Sequence, residues 1–390
     1  MKIFTVVDFY LPGYRAGGPL RTIVNMVENM GDEFEFLIVT RDRDLGVLEP
    51  YNNVRIDQWN EVGKAQVFYA SPSMFSMTGF KKILNATPHD VLYLNSFFSP
   101  HSTGVLLLLR CLGLIKTRPV VIAPRGEFSP GALCLKAAKK RIYIVVAQLL
   151  RMYHGLIWQA SSEDEAQDIR NVMGSIARDI LVAPDLLSAA PIVAKADSRI
   201  EKDKARGKRL HLVFLSRISP KKNLDYLLTI LSKVSAPLDL SIYGPMEVPD
   251  YWAACERLIG EMPANIMVQY RGELTPEEVP KGFAEHDVFF FPTRGENFGH
   301  VIFESLAVGT CVVLSDQTPW KADKNGAVEV IPLENAEAWC ASLERWTARS
   351  QEDLAKYRES ALMYARDYLA TSPAVEQNRA LFKFAYNYRY

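Results

Sequence analysis

The sequence offers no net charge, no paired cysteines and no long apolar run. Its 45 basic and 45 acidic residues cancel, so bulk charge gives no reason to expect a nucleic-acid partner. Five cysteines (Cys111, Cys134, Cys255, Cys311 and Cys340) lie scattered without a CxxC pair. That argues against a zinc site or a disulfide framework, and for a reducing compartment. The six histidines form no HxxxH pair, so no catalytic metal is expected. No apolar run reaches the ~18 residues of a membrane span, and the N-terminal MKIFTVVDFY reads as a first strand rather than a signal peptide. The cytoplasm is the expected place. GxGxxG is missing too, which leaves a dehydrogenase reading without support.

What is present is ordinary in composition and regular in rhythm. Hydrophobic residues are 48% and charged residues 23% of 390, enough for two soluble domains at roughly 150 residues each. Near-continuous apolar runs (KIFTVV, FEFLIVT, AQVFYA, DVLYLN, PVVIAP, GLIWQA, DILVAP) alternate with amphipathic stretches such as PLRTIVNMVENM and MFSMTGFKKILN. Strands of that kind separated by helices predict a parallel sheet covered on both faces. The rhythm stops in the polar segment from Ser188 and restarts with LHLVFLS, LDLSIYG, IMVQYRG, DVFFFPT and TCVVLSD. The expected fold is α/β, two doubly wound Rossmann-like domains spanning 1–187 and 208–370, with 188–207 as linker. From about Asn335 the chain reads as helical, and 371–390 is expected to pack back on the first domain. Ligands of such sheets bind at strand carboxyl ends, so a cleft between the domains is the expected site.

Three stretches carry candidate chemistry. DFYLPGYRAGGPLRT places Gly17 and Gly18 at the turn into the first helix, where bare backbone can approach a phosphate; a plain βα turn is the alternative. SRISPKKN sets Arg217 just past a strand and Lys222 at the start of the next helix. A guanidinium forks onto phosphate oxygens and an ammonium adds a point charge, although a solvated basic loop would look the same. RGENFGHVIFESLAV puts Glu296 before a helix and Glu304 inside it. In one straight helix they would lie about 12 Å apart. With Glu296 in the loop, both can face one ligand, and the amides of Phe298 to Val301 can meet an anion. A nucleotide sugar, with hydroxyls at both ends and phosphates between, has the matching chemistry.

ENFGHVIFE, with its two glutamates enclosing seven residues, resembles the E-x7-E motif of glycosyltransferase family 4. Those are retaining enzymes of the GT-B fold. SRISPKKN, GYRAGGPLRT, IYGP, VQYRGEL and HDVFFFPT resemble the family's other motifs in the family's order. The resemblance implies that Glu304 holds the donor ribose and Glu296 the transferred sugar. Arg217 and Lys222 would bind the departing diphosphate, with Gly17 and Gly18 approaching it. Asn297, Phe298, Gly299, His300 and Val301 would line the pocket, and the turn around Arg271 would contact the base. Where many members carry His-Gly this chain has APRGEF, so Arg125 is expected at a donor or acceptor phosphate. The usual Pro-Asn-Gly-Val-Asp is reduced to APDLLS around Asp185.

The reaction so implied moves a hexose from a UDP- or GDP-sugar to a glycan or lipid-linked saccharide in bacterial surface-polysaccharide synthesis, without cofactor or metal. A GT-B nucleotide-sugar 2-epimerase and a non-catalytic sugar-nucleotide binding module are the rival readings. Asp42 and Asp44 form a DxD that is expected to serve its loop. Phe97, Phe98 and His101, after DVLYLN, are expected acceptor contacts, with a turn of buried aromatics as the alternative. KAAKKRIYIVVAQLLRMY, 136–153, joins a basic cluster to an apolar stretch. It is expected to be a domain helix, with a peripheral place on the inner membrane face as the alternative.

Overall fold

The computed structural model describes residues 1–134, 137–188 and 209–388. Apart from Ser188, the segment expected as linker lies outside them. The chain divides into two compact units, Met1–Ala189 with Pro373–Tyr390, and Ala190–Ser372.

The first unit holds an eight-stranded sheet in the order β3-β4-β2-β1-β5-β6-β7-β8. Its strands are β1 (Lys2–Val6), β2 (Glu35–Arg41), β3 (Trp59–Val62), β4 (Ala65–Ala70), β5 (Val91–Asn95), β6 (Val120–Ala123), β7 (Ile157–Ala160) and β8 (Asp179–Val182). Every pairing is parallel except that of β3 with β4. Successive β1 side chains serve opposite faces: Ile3 joins one apolar core and Phe4 the other. Helices cover both faces, which is why these strands are apolar throughout. The helix Gly18–Met30 covers one of them with Leu20, Ile23, Val24 and Val27.

On that same face lies the last helix, Ala374–Asn387. Its Phe382 ring sits 5.4 Å from Tyr93 of β5 and 5.7 Å from Phe34. Asn378 donates to Pro184 O at 2.7 Å.

The second unit is a six-stranded parallel sheet, β11-β10-β9-β12-β13-β14. Its strands are β9 (Leu210–Leu215), β10 (Leu238–Tyr243), β11 (Ile266–Tyr270), β12 (Val288–Phe291), β13 (Cys311–Ser315) and β14 (Val328–Ile331). Counted from β9 this is the doubly wound order 3-2-1-4-5-6, whose switch point lies between β9 and β12. Two edge strands, β3 and β14, are additions to the strands expected from sequence.

Candidate active site

At the switch point the exit loops of β9 and β12 leave neighbouring parallel strands. Hydrogen bonds tie them together. Lys221 O accepts from Arg294 N at 2.8 Å and from Thr293 Oγ1 at 3.1 Å. Asn223, in a left-handed conformation with φ 64°, donates to Pro292 O and accepts from Arg294 Nε, both at 2.8 Å. This frame brings together two side chains far apart in sequence: Lys222 Nζ meets Glu296 Oε2 at 2.5 Å.

Both members of the pair are largely buried, at 10% and 16% side-chain exposure. Burial alone would push the Glu296 carboxyl up. The Lys222 ammonium, with Lys221 and the Asn297 N–H behind it, more than offsets burial and holds it below the ordinary glutamate range. Glu296 is therefore a fixed anion beside a fixed cation. Lys222 also lies 5.3 Å from the centre of the Phe291 ring.

The helix expected to start near Phe298 or Gly299 begins at His300 and ends at Leu306, with Gly299 as its N-cap. Gly299 has φ 82°, and a Cβ there would meet Ile302 at 2.7 Å and Glu296 at 3.0 Å. Two constraints thus select glycine at this corner. Phe298 and His300 are buried against each other, 5.0 Å apart. Asn297 and Val301 are half-buried, and so is Glu304, in the second turn.

Arg217 does not join Lys222 here. It is one-third exposed and donates to Glu247 Oε1 at 2.8 Å. Arg271 is exposed past the end of β11, two strands from β9.

In the first unit, Gly17 caps the helix Gly18–Met30 with φ 66° and ψ −129°. Nothing lies within 4 Å of a Cβ built on Gly17 or Gly18, so their backbone is open to a ligand. Asp44 accepts from Tyr14 N at 3.0 Å and Arg15 N at 3.3 Å, while Asp42 pairs with Arg43 at 2.8 Å. Within the DxD, Asp44 thus holds the loop that leads into the two glycines. Among the described residues no three His, Cys, Asp or Glu side chains could share a metal ion.

Two expectations are corrected. Arg125 is not aimed at a ligand phosphate. Its backbone is left-handed, φ 57°, and its guanidinium donates to Asp185, to the Tyr93 hydroxyl and, at 3.4 Å, to Asn95 Oδ1. Tyr93 passes the network to Gln159 at 2.7 Å, and Gln159 to Asn378 of the last helix at 3.1 Å. Burial opposes the guanidinium charge, and Asp185 with Tyr93 and Glu165 overcomes that, so Arg125 is held above its ordinary range. All three guanidinium nitrogens thus have a protein acceptor, and the buried Asp185 has its counter-ion.

Phe97 is not an acceptor contact either. It is fully buried, stacked on Tyr153 at 4.3 Å and packed against Phe128 and Trp158. Phe98 packs on the same cluster, 5.0 Å from Phe97. His101 is exposed in the turn Pro100–Gly104, 6.2 Å from the Phe75 ring.

Residues 209–348 match the family model described as glycosyl transferases group 1. Over 265 residues the chain is 21% identical to an uncharacterized 41.2 kDa protein in the cps region of Klebsiella pneumoniae, covering 64% of this chain and 70% of that one. Anabaena HepE in complex with UDP and glucose has the same fold, with TM-score 0.69 and 15% identity over 98% of each chain. Sucrose-phosphate synthase of Thermosynechococcus elongatus gives TM-score 0.71 at 15% identity, again over 98% of each. This chain is a glycosyltransferase of the GT-B fold.

Two residues in this glycosyltransferase give the site its shape, and a third orders a loop of the first unit, none of them read from sequence. Trp320, past β13, donates from Nε1 to Phe298 O at 2.6 Å and holds the corner from behind. Gln317 O accepts from Glu296 N at 3.0 Å. In the first unit Glu127 accepts from Ser96 Oγ at 2.6 Å and from Phe97 N and Phe98 N at 2.5 and 3.1 Å. Burial pushes its carboxyl up. TPW and RGE are turn-like in sequence, and nothing local says what their side chains reach.

Proposed function

We propose that the enzyme is a retaining transferase that moves a hexose from a nucleotide sugar, UDP-linked in preference to GDP-linked, to a glycan or lipid-linked saccharide. Assembly of a surface polysaccharide is the setting, and no metal takes part. The observation that carries this reading is the Lys222–Glu296 pair at the β9/β12 switch point. It lies inside the stretch matched by the glycosyltransferase family model. The donor class is supported by structures of the same fold that hold UDP and glucose, or UDP-2-fluoro glucose. The setting is supported by the cps-region relative.

In this reading the donor diphosphate takes a share of the Lys222 ammonium, and Arg217 swings from Glu247 to the phosphates. Negative charge grows on the diphosphate as its bond to the sugar breaks. Fixed cations stabilise it by roughly 2.7–4 kcal/mol per well-placed donor, the scale of an oxyanion hole. Glu296, kept ionised, holds the sugar hydroxyls and faces the positive charge developing on the ring. Glu304 takes the ribose, residues 297–301 supply backbone around the sugar and phosphates, and the turn at Arg271 meets the base. Retention follows from front-face attack, in which a donor phosphate oxygen receives the acceptor proton. On the acceptor side His101 is the exposed candidate.

A thermal-shift panel of UDP, GDP, ADP and dTDP, each with and without EDTA, tests this. At about 100 times its dissociation constant a nucleotide stabilises by about 2.7 kcal/mol. The expected result is a shift with UDP that EDTA leaves unchanged. A shift that EDTA abolishes overturns the metal-free site, and no shift with any nucleotide overturns the donor site.

A further inference from the structure

A chain with no net charge hides a strongly basic stretch. Between Val91 and Ser162 it carries nine Lys and Arg and a single acid, Glu127. Within that stretch the helix Ala137–Leu149 presents an apolar face outward. Ile142, Val145, Val146 and Leu149, with Leu150 after it, are between 46% and 77% exposed. Their spacing of three and four residues puts the helical four on one side. The opposite side is apolar too: Ala147 is buried, and Tyr143 and Ile144 pack on the core. From Ile142 on, every residue of this helix but Gln148 is apolar; a stretch of that kind is normally enclosed, and this one is not. Lys139 and Arg141, at the start of the exposed face, and Arg151, at its end, are themselves exposed.

We propose that this face docks the protein on an anionic lipid bilayer, the helix lying along the headgroup plane. The apolar face is what a headgroup–acyl boundary takes up, and the basic residues at its two ends match anionic headgroups. Thirteen residues make a helix about 20 Å long, short of the ~30 Å of a hydrocarbon core. Among the described residues no helix is long and apolar enough to cross a membrane. The expectation that this segment is an ordinary domain helix covers only its inner face. Docking would hold the first unit beside a lipid-linked acceptor. The docking face is independent of the transfer chemistry, and vesicle binding is read without nucleotide.

The full-length protein is co-sedimented with phosphatidylcholine vesicles, with and without phosphatidylglycerol, at low and high salt. Binding is expected only with phosphatidylglycerol, weakening as salt rises. Val145→Glu with Leu149→Glu is expected to abolish binding, with an unchanged unfolding transition and unchanged nucleotide shifts. Lys139→Glu with Arg141→Glu is expected to weaken it roughly tenfold or more. Equal binding by wild type and the Val145→Glu/Leu149→Glu protein overturns the proposal, as does no binding to anionic vesicles. A wild-type dimer that Val145→Glu converts to monomer, without vesicle binding, overturns it in favour of a second copy.

Discussion

Arg125 and Lys222 each follow a β-strand, each carries a positive charge, and each meets a buried or nearly buried carboxylate. They nevertheless do different work. The guanidinium of Arg125 is turned inward by a left-handed backbone and shared among Asp185, Tyr93 and Asn95. Lys222 has a single carboxylate, Glu296, on a loop that leaves the sheet at its switch point. A cation held by several protein acceptors stabilises a domain, whereas a cation shared with one anion at a strand end can be lent to a ligand. A basic residue past a strand is therefore a candidate phosphate ligand only once its protein acceptors have been counted.

The largest effect should come from breaking the Arg125 network. Arg125→Ala strands Asp185 in the interior, where removing one partner of a buried pair costs about 3–5 kcal/mol. Urea unfolding should show that loss. If Arg125 bound substrate instead, stability would hold and the donor KM would rise.

Next in size is the open pair. Glu296→Gln keeps the shape and removes the charge that faces the reacting sugar, so turnover should fall by roughly 10²–10³ while urea unfolding changes far less than in Arg125→Ala.

The same pair has a pH signature. Because folding lowers the Glu296 pKa, its contribution is full above the carboxylate's unfolded value and is lost as pH falls through the lower folded value. Lys222→Met leaves burial to raise that pKa. The acid limb of whatever kcat/KM remains should move to higher pH, and an unmoved limb would show that another group sets it.

A smaller effect tests the frame around the pair. Gly299→Ala must adopt φ 82° against Ile302 and Glu296, at a cost of about 1–3 kcal/mol, with activity falling alongside stability. The smallest should be Glu247→Gln, which cuts the exposed ion pair of Arg217 and should change unfolding by no more than about 1 kcal/mol.

The sequence showed what depends on local pattern. The strands buried on both faces announced themselves as apolar runs, but β3 and β14 did not. β3, WNEV, is a half-exposed antiparallel edge, and β14, VEVI, carries Glu329, which pairs with Arg345 on the surface. In the site, the residue types and spacing around Glu296 and Glu304 were legible, as was the glycine corner. That Lys222 would reach Glu296, 74 residues away, depends on β9 lying next to β12, and strand order is not written locally. Arg125 misled for a similar reason. Its left-handed backbone, and the carboxylate waiting 60 residues on, are properties of the folded domain.

The most direct test titrates the nucleoside diphosphate that shifts the wild-type transition most into wild-type and Lys222→Met protein, by calorimetry at constant pH and salt. The account predicts metal-free binding to wild type and at least about tenfold weaker binding to the variant, about 1.4 kcal/mol, with both proteins folded. Equal affinity in the two would mean that the donor phosphates bind elsewhere and that the pair at the β9/β12 junction is structural, as the Arg125 network is.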